Sequence, residues 1–160
     1  MELINGVIVA PPVPRYTHQR ALMNTAMIVK RIAAEGEMCI GPNDVYLDEW
    51  NVLQPDVFWI RKAGSNCTLG EDDHWHGPPD LVAEILSDDI RNRHDKFRIY
   101  AKHGVSEYWI IHPLQLWAEV WVLDGRRYRH HGIFGPEESF ESPALGGKTI
   151  WLAEVFAHEG

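Results

Sequence analysis

Two acidic residues interrupt strongly apolar segments of the chain, Asp56 within residues 52–60 and Glu84 within residues 80–87. Such segments are typical of strands buried on both faces, where an ionised carboxylate is costly unless a cation or strong hydrogen bonds compensate it. The main-chain carbonyl of Ile85 emerges beside Glu84, and these three groups would form the all-oxygen set that Mg²⁺ prefers. The pattern therefore indicates a divalent metal site, for which phosphodiester hydrolysis is the natural use.

A basic segment follows the second acidic segment directly and is predicted to be helical. Its positive side chains are Arg91, Arg93, Lys96, Arg98 and Lys102. A lysine near the metal would stabilise the negative charge that develops on a phosphate, and Lys96 is the leading candidate. Arg91, Arg93 and Arg98 would attract nucleic acid to this helix. A second basic group falls on one later predicted strand, namely Arg126, Arg127, Arg129, His130 and His131. For each basic group, a solvated surface that balances nearby acidic residues is as good an interpretation as a nucleic-acid site.

Structural roles remain open for the acidic residues. Asp56 follows a proline, so its side chain could satisfy turn amides at a bend. Glu84 could form an ion pair with Lys96 or Arg98 that needs no metal. Glu107 is either a third acidic contributor or a surface residue on an edge strand.

One further segment carries ligand-type side chains. Residues 72–76 read Asp-Asp-His-Trp-His and would suit zinc with Cys67, but their spacing matches no established zinc pattern. A solvated loop is the better interpretation of this segment.

Composition limits the class of protein. The length of 160 residues predicts a single domain over residues 1–160. The formal charge of −8 opposes non-specific coating of nucleic acid, because the protein's field would repel phosphates. Any nucleic-acid site must then be local. The first residues do not resemble a signal peptide, and no apolar run approaches the ~18 residues of a membrane span, so we expect a cytoplasmic protein. Two cysteines, Cys39 and Cys67, are expected to be reduced.

The first half of the chain predicts one helix among short strands. Asn5-Gly6 is typical of a two-residue hairpin turn, here between strands within residues 2–10. Apolar spacing predicts a helix over residues 17–35, with Gly36 as its C-terminal cap. Strands over 38–40, 45–47 and 52–60 would form an antiparallel meander.

The second half predicts a strand–helix–strand unit. Residues 61–79 lack periodicity over an unusual length and are a candidate lid. The strand over 80–87, the helix over 90–103 closed by Gly104, and the strand over 107–112 predict two parallel strands joined by a right-handed crossover. A hairpin around Asp124-Gly125 would extend the sheet edge. The fold class is α/β, with a mixed β-sheet flanked by helices and an additional β-hairpin region.

Several motifs together resemble one known family. They are Gln54-Pro55-Asp56, Pro79-Asp80-Leu-Val-Ala-Glu84-Ile-Leu-Ser87, Asp95-Lys96, and Gly104-Val-Ser-Glu-Tyr-Trp-Ile-Ile-His112-Pro113. This pattern resembles the Uma-two family of the restriction-endonuclease-like PD-(D/E)XK superfamily. Glu2 and His18 also resemble family landmarks, although a lone histidine in a first helical turn is more often a surface or capping residue.

The resemblance implies that Asp56 and Glu84 are the carboxylates that bind the metal ion, and that the activity is Mg²⁺-dependent cleavage of DNA. We expect Mn²⁺ to be able to substitute for Mg²⁺. Leu86 stands where the superfamily has its motif lysine, so Lys96 would replace that lysine from the helix. Asp88 and His112 replace a usual proline and aspartate. A homodimer is expected, because two cuts on antiparallel strands need two sites. The alternatives are a catalytically silent interaction module and a hydrolase of another phosphate ester.

Overall fold

The computed structural model describes residues 1–87 and 92–158, which contain fourteen strands and three α-helices. Two sheets have six strands each, and the one with the shorter strands is called the smaller sheet. It contains β1 (Glu2–Ile4), β2 (Val7–Val9), β4 (Val45–Asp48), β5 (Asn51–Leu53), β7 (Thr68–Leu69) and β8 (Trp75–His76). The central sheet contains β3 (Glu37–Ile40), β6 (Val57–Ile60), β9 (Leu81–Ile85), β10 (Glu107–His112), β11 (Trp117–Asp124) and β12 (Arg127–Phe134). The remaining elements are α1 (Tyr16–Ile32), α2 (Arg93–His103), the hairpin of β13 (Ser139–Ser142) and β14 (Lys148–Trp151), a 3-10 turn (Pro143–Leu145) and α3 (Leu152–Val155).

The central sheet is mixed and is covered on both faces. Its strand order is β12-β11-β10-β9-β6-β3, and β9 and β10 are parallel, with Leu81 opposite Glu107 and Ile85 opposite Ile111. One face packs against α1, α3 and the β13–β14 hairpin, around Val29 and Trp109. The other face packs against α2 and the smaller sheet. The predicted α/β class, with a mixed sheet, flanking helices and an added hairpin, is confirmed.

Local turn chemistry explains why several predicted elements are confirmed. Asn5 and Gly6 have φ angles of 49° and 79°, the positive values that a tight hairpin between β1 and β2 requires. Gly104 ends α2 with a φ of 88°. α2 ends at the predicted residue, His103, and the two strands that it joins are parallel as expected. The predicted helix start at residue 90 lies outside the described residues.

The predicted cap of α1 is wrong. The helix ends at Ile32, and Gly36 lies beyond it. A Cβ atom on Gly36 would lie 2.3 Å from Cε2 of Trp59, whose indole Nε1 donates to the carbonyl of Ala33 at 3.1 Å. Gly36 is therefore needed for the close approach of Trp59 to the backbone after the helix.

The predicted strand over residues 52–60 is divided between the two sheets. β5 pairs with β1 and β4 in the smaller sheet, whereas β6 pairs with β3 and β9 in the central one. Pro55 lacks an N–H for a continuing ladder, and the Asp56 carbonyl accepts a hydrogen bond from Gly41 N–H at 2.9 Å. The predicted single meander is therefore wrong, and Asp56 lies at a crossing between sheets.

Residues 61–79 extend the smaller sheet and do not form a separate lid. They contain β7 and β8, and β8 pairs in parallel with β4. Cys67, which lies just before β7, is buried in the hydrophobic core. No helix within the described residues has the length and apolar character needed to span a membrane.

Candidate active site

The carboxyl end of β9 opens into a cavity of about 140 Å³ that contains the acidic residues singled out in the sequence. Its polar lining comes from five different elements or connections, and includes Glu2, His18, Asp56, Glu84, Arg93 and Lys96. The cavity lies where the smaller sheet, the start of α1 and the first half of α2 meet the central sheet. The fold thus brings Asp56, Glu84 and Lys96 together.

Asp56 is fixed against the strand that carries Glu84. Its Oδ2 accepts a hydrogen bond from the Ile85 main-chain N–H at 2.8 Å, and its side chain is 21% exposed. The alternative role for Asp56 was to accept hydrogen bonds from turn amides at a bend. The carboxylate does accept one from a backbone amide, but this amide belongs to β9 and not to the bend that contains Asp56. Asp56 therefore lies beside the Ile85 backbone, whose carbonyl was the third predicted oxygen.

Glu84 is a buried carboxylate with an incomplete set of compensating contacts. Its Oε1 accepts a hydrogen bond from Tyr100 Oη at 2.7 Å and lies 3.7 Å from Lys96 Nζ. The pKa of Glu84 is raised to about 8, chiefly by burial; the charges of Asp56 and Glu2 also raise it, whereas the Lys96 ammonium and the Tyr100 hydrogen bond lower it. Without a bound cation, the Glu84 carboxyl group is therefore mostly protonated below about pH 8.

Lys96 reaches the carboxylates from one helical turn inside α2. Its Nζ lies 3.0 Å from Glu2 Oε1, and its side chain is 18% exposed. Burial lowers the pKa of this lysine, but the nearby charges of Glu84 and Glu2 together raise the pKa above its ordinary value. Lys96 therefore remains cationic. The alternative of an ion pair between Glu84 and Lys96 is compatible with this geometry.

Glu2 and His18, which the resemblance had made secondary candidates, both line the cavity. Glu2 Oε2 accepts a hydrogen bond from the Gln54 N–H at 2.8 Å, which fixes the carboxylate that contacts Lys96. His18 Nε2 lies 3.4 Å from Asp56 Oδ2, and the histidine side chain is 15% exposed. The expectation of a surface or capping role for His18 is wrong.

The environment of His18 favours its protonated form. Burial lowers its pKa, but interactions with the Asp56 carboxylate and with the Ile85 backbone outweigh burial and raise the pKa overall. Its Nδ1 is buried and has no hydrogen-bond partner within residues 1–87 and 92–158. The imidazole thus lies against two of the three predicted metal ligands.

Glu107 lies on the opposite face of the central sheet, away from the cavity. It is fully buried, and its carboxylate accepts hydrogen bonds from Trp109 Nε1 at 2.6 Å, Ser142 Oγ at 2.6 Å and Ala144 N at 3.0 Å. Because residue parity along β10 directs it toward α1 and the β13–β14 hairpin, it cannot join Glu84. Both predictions for Glu107, a third acidic contributor and a surface residue, are wrong.

The predicted DNA-binding arginines differ in their positions. Arg93 lines the cavity and Arg98 is exposed on α2, whereas Arg91 falls outside the described residues. The pairing of His112 with Trp117 places the start of β11 at the cavity end of the sheet. The turn that carries the second basic group, including Arg126 and Arg127, therefore lies at the opposite end.

The rings of His74 and His76 lie beside the Tyr46 ring, where β4 pairs with β8 in the smaller sheet. His76 stacks on the Tyr46 ring at 5.0 Å, and its Nε2 lies 2.9 Å from Asp72 Oδ2. Across the described ranges, no group of three or more His, Cys, Asp or Glu side chains is arranged to hold a metal ion. Magnesium commonly uses only one or two carboxylates and retains water, so the Asp56–Glu84 set differs from a cage of that kind.

Sequence reasoning missed Tyr100 and Gln54 as parts of the site. Tyr100 lies four residues after Lys96, so helical spacing places both on one face of α2. This spacing could have identified Tyr100 from the sequence as a neighbour of Lys96. The contribution of the Gln54 backbone N–H to Glu2 depends on the pairing of β1 with β5, which no local pattern specifies.

The fold and the placement of these residues are those of a nuclease-like α/β domain. The structure is similar to the crystal structure of "a putative nuclease belonging to DUF820" from Anabaena variabilis ATCC 29413, with a TM-score of 0.79, 17% sequence identity, and coverage of 97% of this chain and 88% of that one. Comparison with curated proteins gives no significant match. Residues 1–153 match the family model Uma2, "Putative restriction endonuclease", and the chain belongs to this family.

Proposed function

We propose that this protein is a metal-dependent endonuclease that hydrolyses phosphodiester bonds of DNA, with Mg²⁺ as its ion and Mn²⁺ as a substitute. The observation that carries the proposal is the convergence of Asp56, the Glu84–Ile85 strand end and Lys96 on one open cavity. Membership of the Uma2 family supports the reaction class.

The side chains present fit a hard divalent cation. Asp56, Glu84 and the Ile85 carbonyl supply oxygen donors, and the raised pKa of Glu84 marks a carboxylate that lacks sufficient positive charge nearby. Within residues 1–87 and 92–158, neither Asp56 Oδ1 nor Glu84 Oε2 accepts a hydrogen bond. A bound Mg²⁺ would supply positive charge to the phosphate oxygens and favour ionisation of an attacking water.

The protein's own groups have separate roles in this proposal. Lys96 holds its charge toward the scissile phosphate and stabilises the negative charge that grows in the transition state. Glu2 orients Lys96 through the 3.0 Å contact, and Tyr100 orients Glu84 through its 2.7 Å hydrogen bond. Arg93, and on the same helix Arg98, contact the DNA backbone locally.

The assembly we propose is a homodimer of single domains spanning residues 1–160. A protomer of 18.4 kDa offers limited surface for recognition by itself, and cleavage of both strands of a duplex needs two sites. Sedimentation of the protein with and without DNA tests this part independently of catalysis.

The central experiment compares Lys96→Ala with Lys102→Ala, a matched lysine exposed on the same helix. Lys96→Ala should reduce Mg²⁺-dependent DNA cleavage about 100- to 1,000-fold while it retains Mg²⁺ binding by calorimetry, because the oxygen ligands remain. Lys102→Ala should cleave like the wild type. Wild-type cleavage by folded Lys96→Ala would exclude the proposed role of Lys96.

A second set of variants tests the metal ligands. Asp56→Asn and Glu84→Gln should each remove most of the rise in melting temperature that Mg²⁺ or Mn²⁺ produces in the wild type. If the metal raises the melting temperature of the double variant equally, the ion binds elsewhere. If neither metal binds the wild type and no DNA is cleaved, the silent interaction module is the better explanation.

A further inference from the structure

A second cavity, of about 490 Å³, lies beside the candidate active site, between the first half of α2 and the face of β11. Its lining residues are Arg93, His94, Phe97, Ile110, Glu119 and Trp121. Arg93 also lines the cavity that contains Asp56 and Glu84. The two cavities are therefore neighbours that share one cationic side chain.

Two aromatic side chains form a wall of this second cavity. The rings of Phe97 and Trp121 meet edge to face with centroids 4.9 Å apart, and the centroids of the His130 and Trp121 rings are 4.7 Å apart. The register between β11 and β12 shifts next to Trp121, a type of irregularity that redirects a side chain. The indole thus packs against two other rings at the cavity wall.

The Trp121 indole also has an unsatisfied donor. Its Nε1 is buried and has no hydrogen-bond partner among the residues that the structure describes. A buried N–H without an acceptor costs free energy. Because Nε1 is shielded from solvent, the part of Trp121 that lines the cavity is its ring, and the cavity therefore favours a ligand with a flat aromatic surface.

Charge distinguishes a base from a phosphate at this place. The Glu119 carboxylate lines the cavity and lies 3.2 Å from His130 Nε2. A carboxylate repels a phosphate but accepts hydrogen bonds from amino groups, which nucleobases carry. Arg93 lines both cavities, and its guanidinium suits a phosphate. The arrangement therefore fits a base in the cavity and its phosphate toward Arg93.

We propose that this second cavity binds one unpaired nucleobase of the strand whose phosphodiester lies at the candidate active site. The inference rests on the proposed function and specifies its substrate as single-stranded or locally unpaired DNA. A base inside a duplex has both faces stacked and its pairing edge occupied, so it must leave the stack before it enters such a cavity.

The test measures DNA binding in EDTA, where metal-dependent cleavage is absent. The probes are a short labelled single strand, the same strand with one base removed at successive positions, and a fully paired hairpin of the same charge. Wild-type protein should bind the intact strand more tightly than the strand lacking one particular base. Trp121→Leu should weaken binding of the intact strand about 5- to 150-fold, the effect of losing one stacked base, and should not discriminate against the abasic strand.

Trp151→Leu is the matched control, since Trp151 is 54% exposed on β14, on the other face of the central sheet. It should bind all probes like the wild type. If Trp121→Leu lowers the melting temperature markedly, Trp121→Phe retains an aromatic ring and should weaken binding of the intact strand by a smaller factor in the same direction.

Equal affinity of wild-type protein for the intact strand and every abasic strand overturns the inference, as does an equal loss of hairpin and single-strand binding in Trp121→Leu. The nuclease proposal is assessed separately by cleavage in Mg²⁺. Cleavage without dependence on Trp121 refutes the base site alone, whereas Trp121-dependent base binding without cleavage refutes the nuclease proposal alone.

Discussion

Magnesium affinity should fall steeply as pH decreases, because the ion and a proton compete for Glu84. Burial and the charges of Asp56 and Glu2 raise the pKa of Glu84 to about 8, despite Lys96. A carboxylate must be ionised to bind Mg²⁺, so apparent affinity should fall about tenfold for each pH unit below that pKa. At about pH 6, only about 1% of Glu84 is ionised, which weakens binding about 100-fold relative to alkaline pH, or about 2.7 kcal/mol.

Titration calorimetry tests this at several pH values in buffers that differ in ionisation enthalpy. Wild-type protein should release close to one proton per bound ion at about pH 6.5. Glu84→Gln should bind Mg²⁺ weakly and release no proton. Glu154→Gln, which removes a surface carboxylate that pairs with Arg31, should behave like the wild type. Affinity that is independent of pH from about 6 to 9 would refute the assignment of Glu84 as a ligand.

The same pKa shift affects the metal-free protein with a defined sign. Between the ordinary value of 4.5 and about 8, native Glu84 binds a proton that the unfolded chain has released. The contribution of Glu84 to the free energy of unfolding therefore decreases as pH rises through this window. Urea denaturation in EDTA should show the decrease in the wild type and a smaller one in Glu84→Gln. An identical pH profile for both proteins would contradict a raised pKa.

Three other predictions concern parts of the fold outside the metal ligands. Glu107→Ala should lower the free energy of unfolding by about 3–5 kcal/mol in urea titration, because three donors lose their buried acceptor; a loss below about 1 kcal/mol would contradict this. Gly36→Ala should cost about 1–3 kcal/mol, because its Cβ would overlap the Trp59 indole, and unchanged thermal unfolding would be contrary evidence. Arg93→Glu should weaken DNA binding and flatten its dependence on salt, while Arg127→Glu, at the far end of the sheet, should have little effect; equal salt slopes for the two variants would exclude a contact confined to α2.

Features that depend on neighbouring residues could be predicted from the amino-acid sequence. Asn5-Gly6 specified the first hairpin because few residue pairs tolerate two positive φ angles. The unit from β9 through α2 to β10 followed from apolar runs, a terminal glycine and the handedness of crossovers. The residues of the candidate site, Asp56, Glu84 and Lys96, were also identifiable, since charged groups in or beside apolar segments require an explanation.

The contacts between distant segments could not be predicted from local sequence patterns. Apolar periodicity could not show that the chain changes sheets at Asp56, because both halves of that segment are equally suited to a strand. It could not direct Glu107 away from the site or bring His18 to Asp56, because strand order and helix docking determine those neighbours. The pairing of β1 with β5 likewise positions Glu2 on Lys96. These contacts arise from long-range packing, whose free energy depends on the whole core and not on any local pattern.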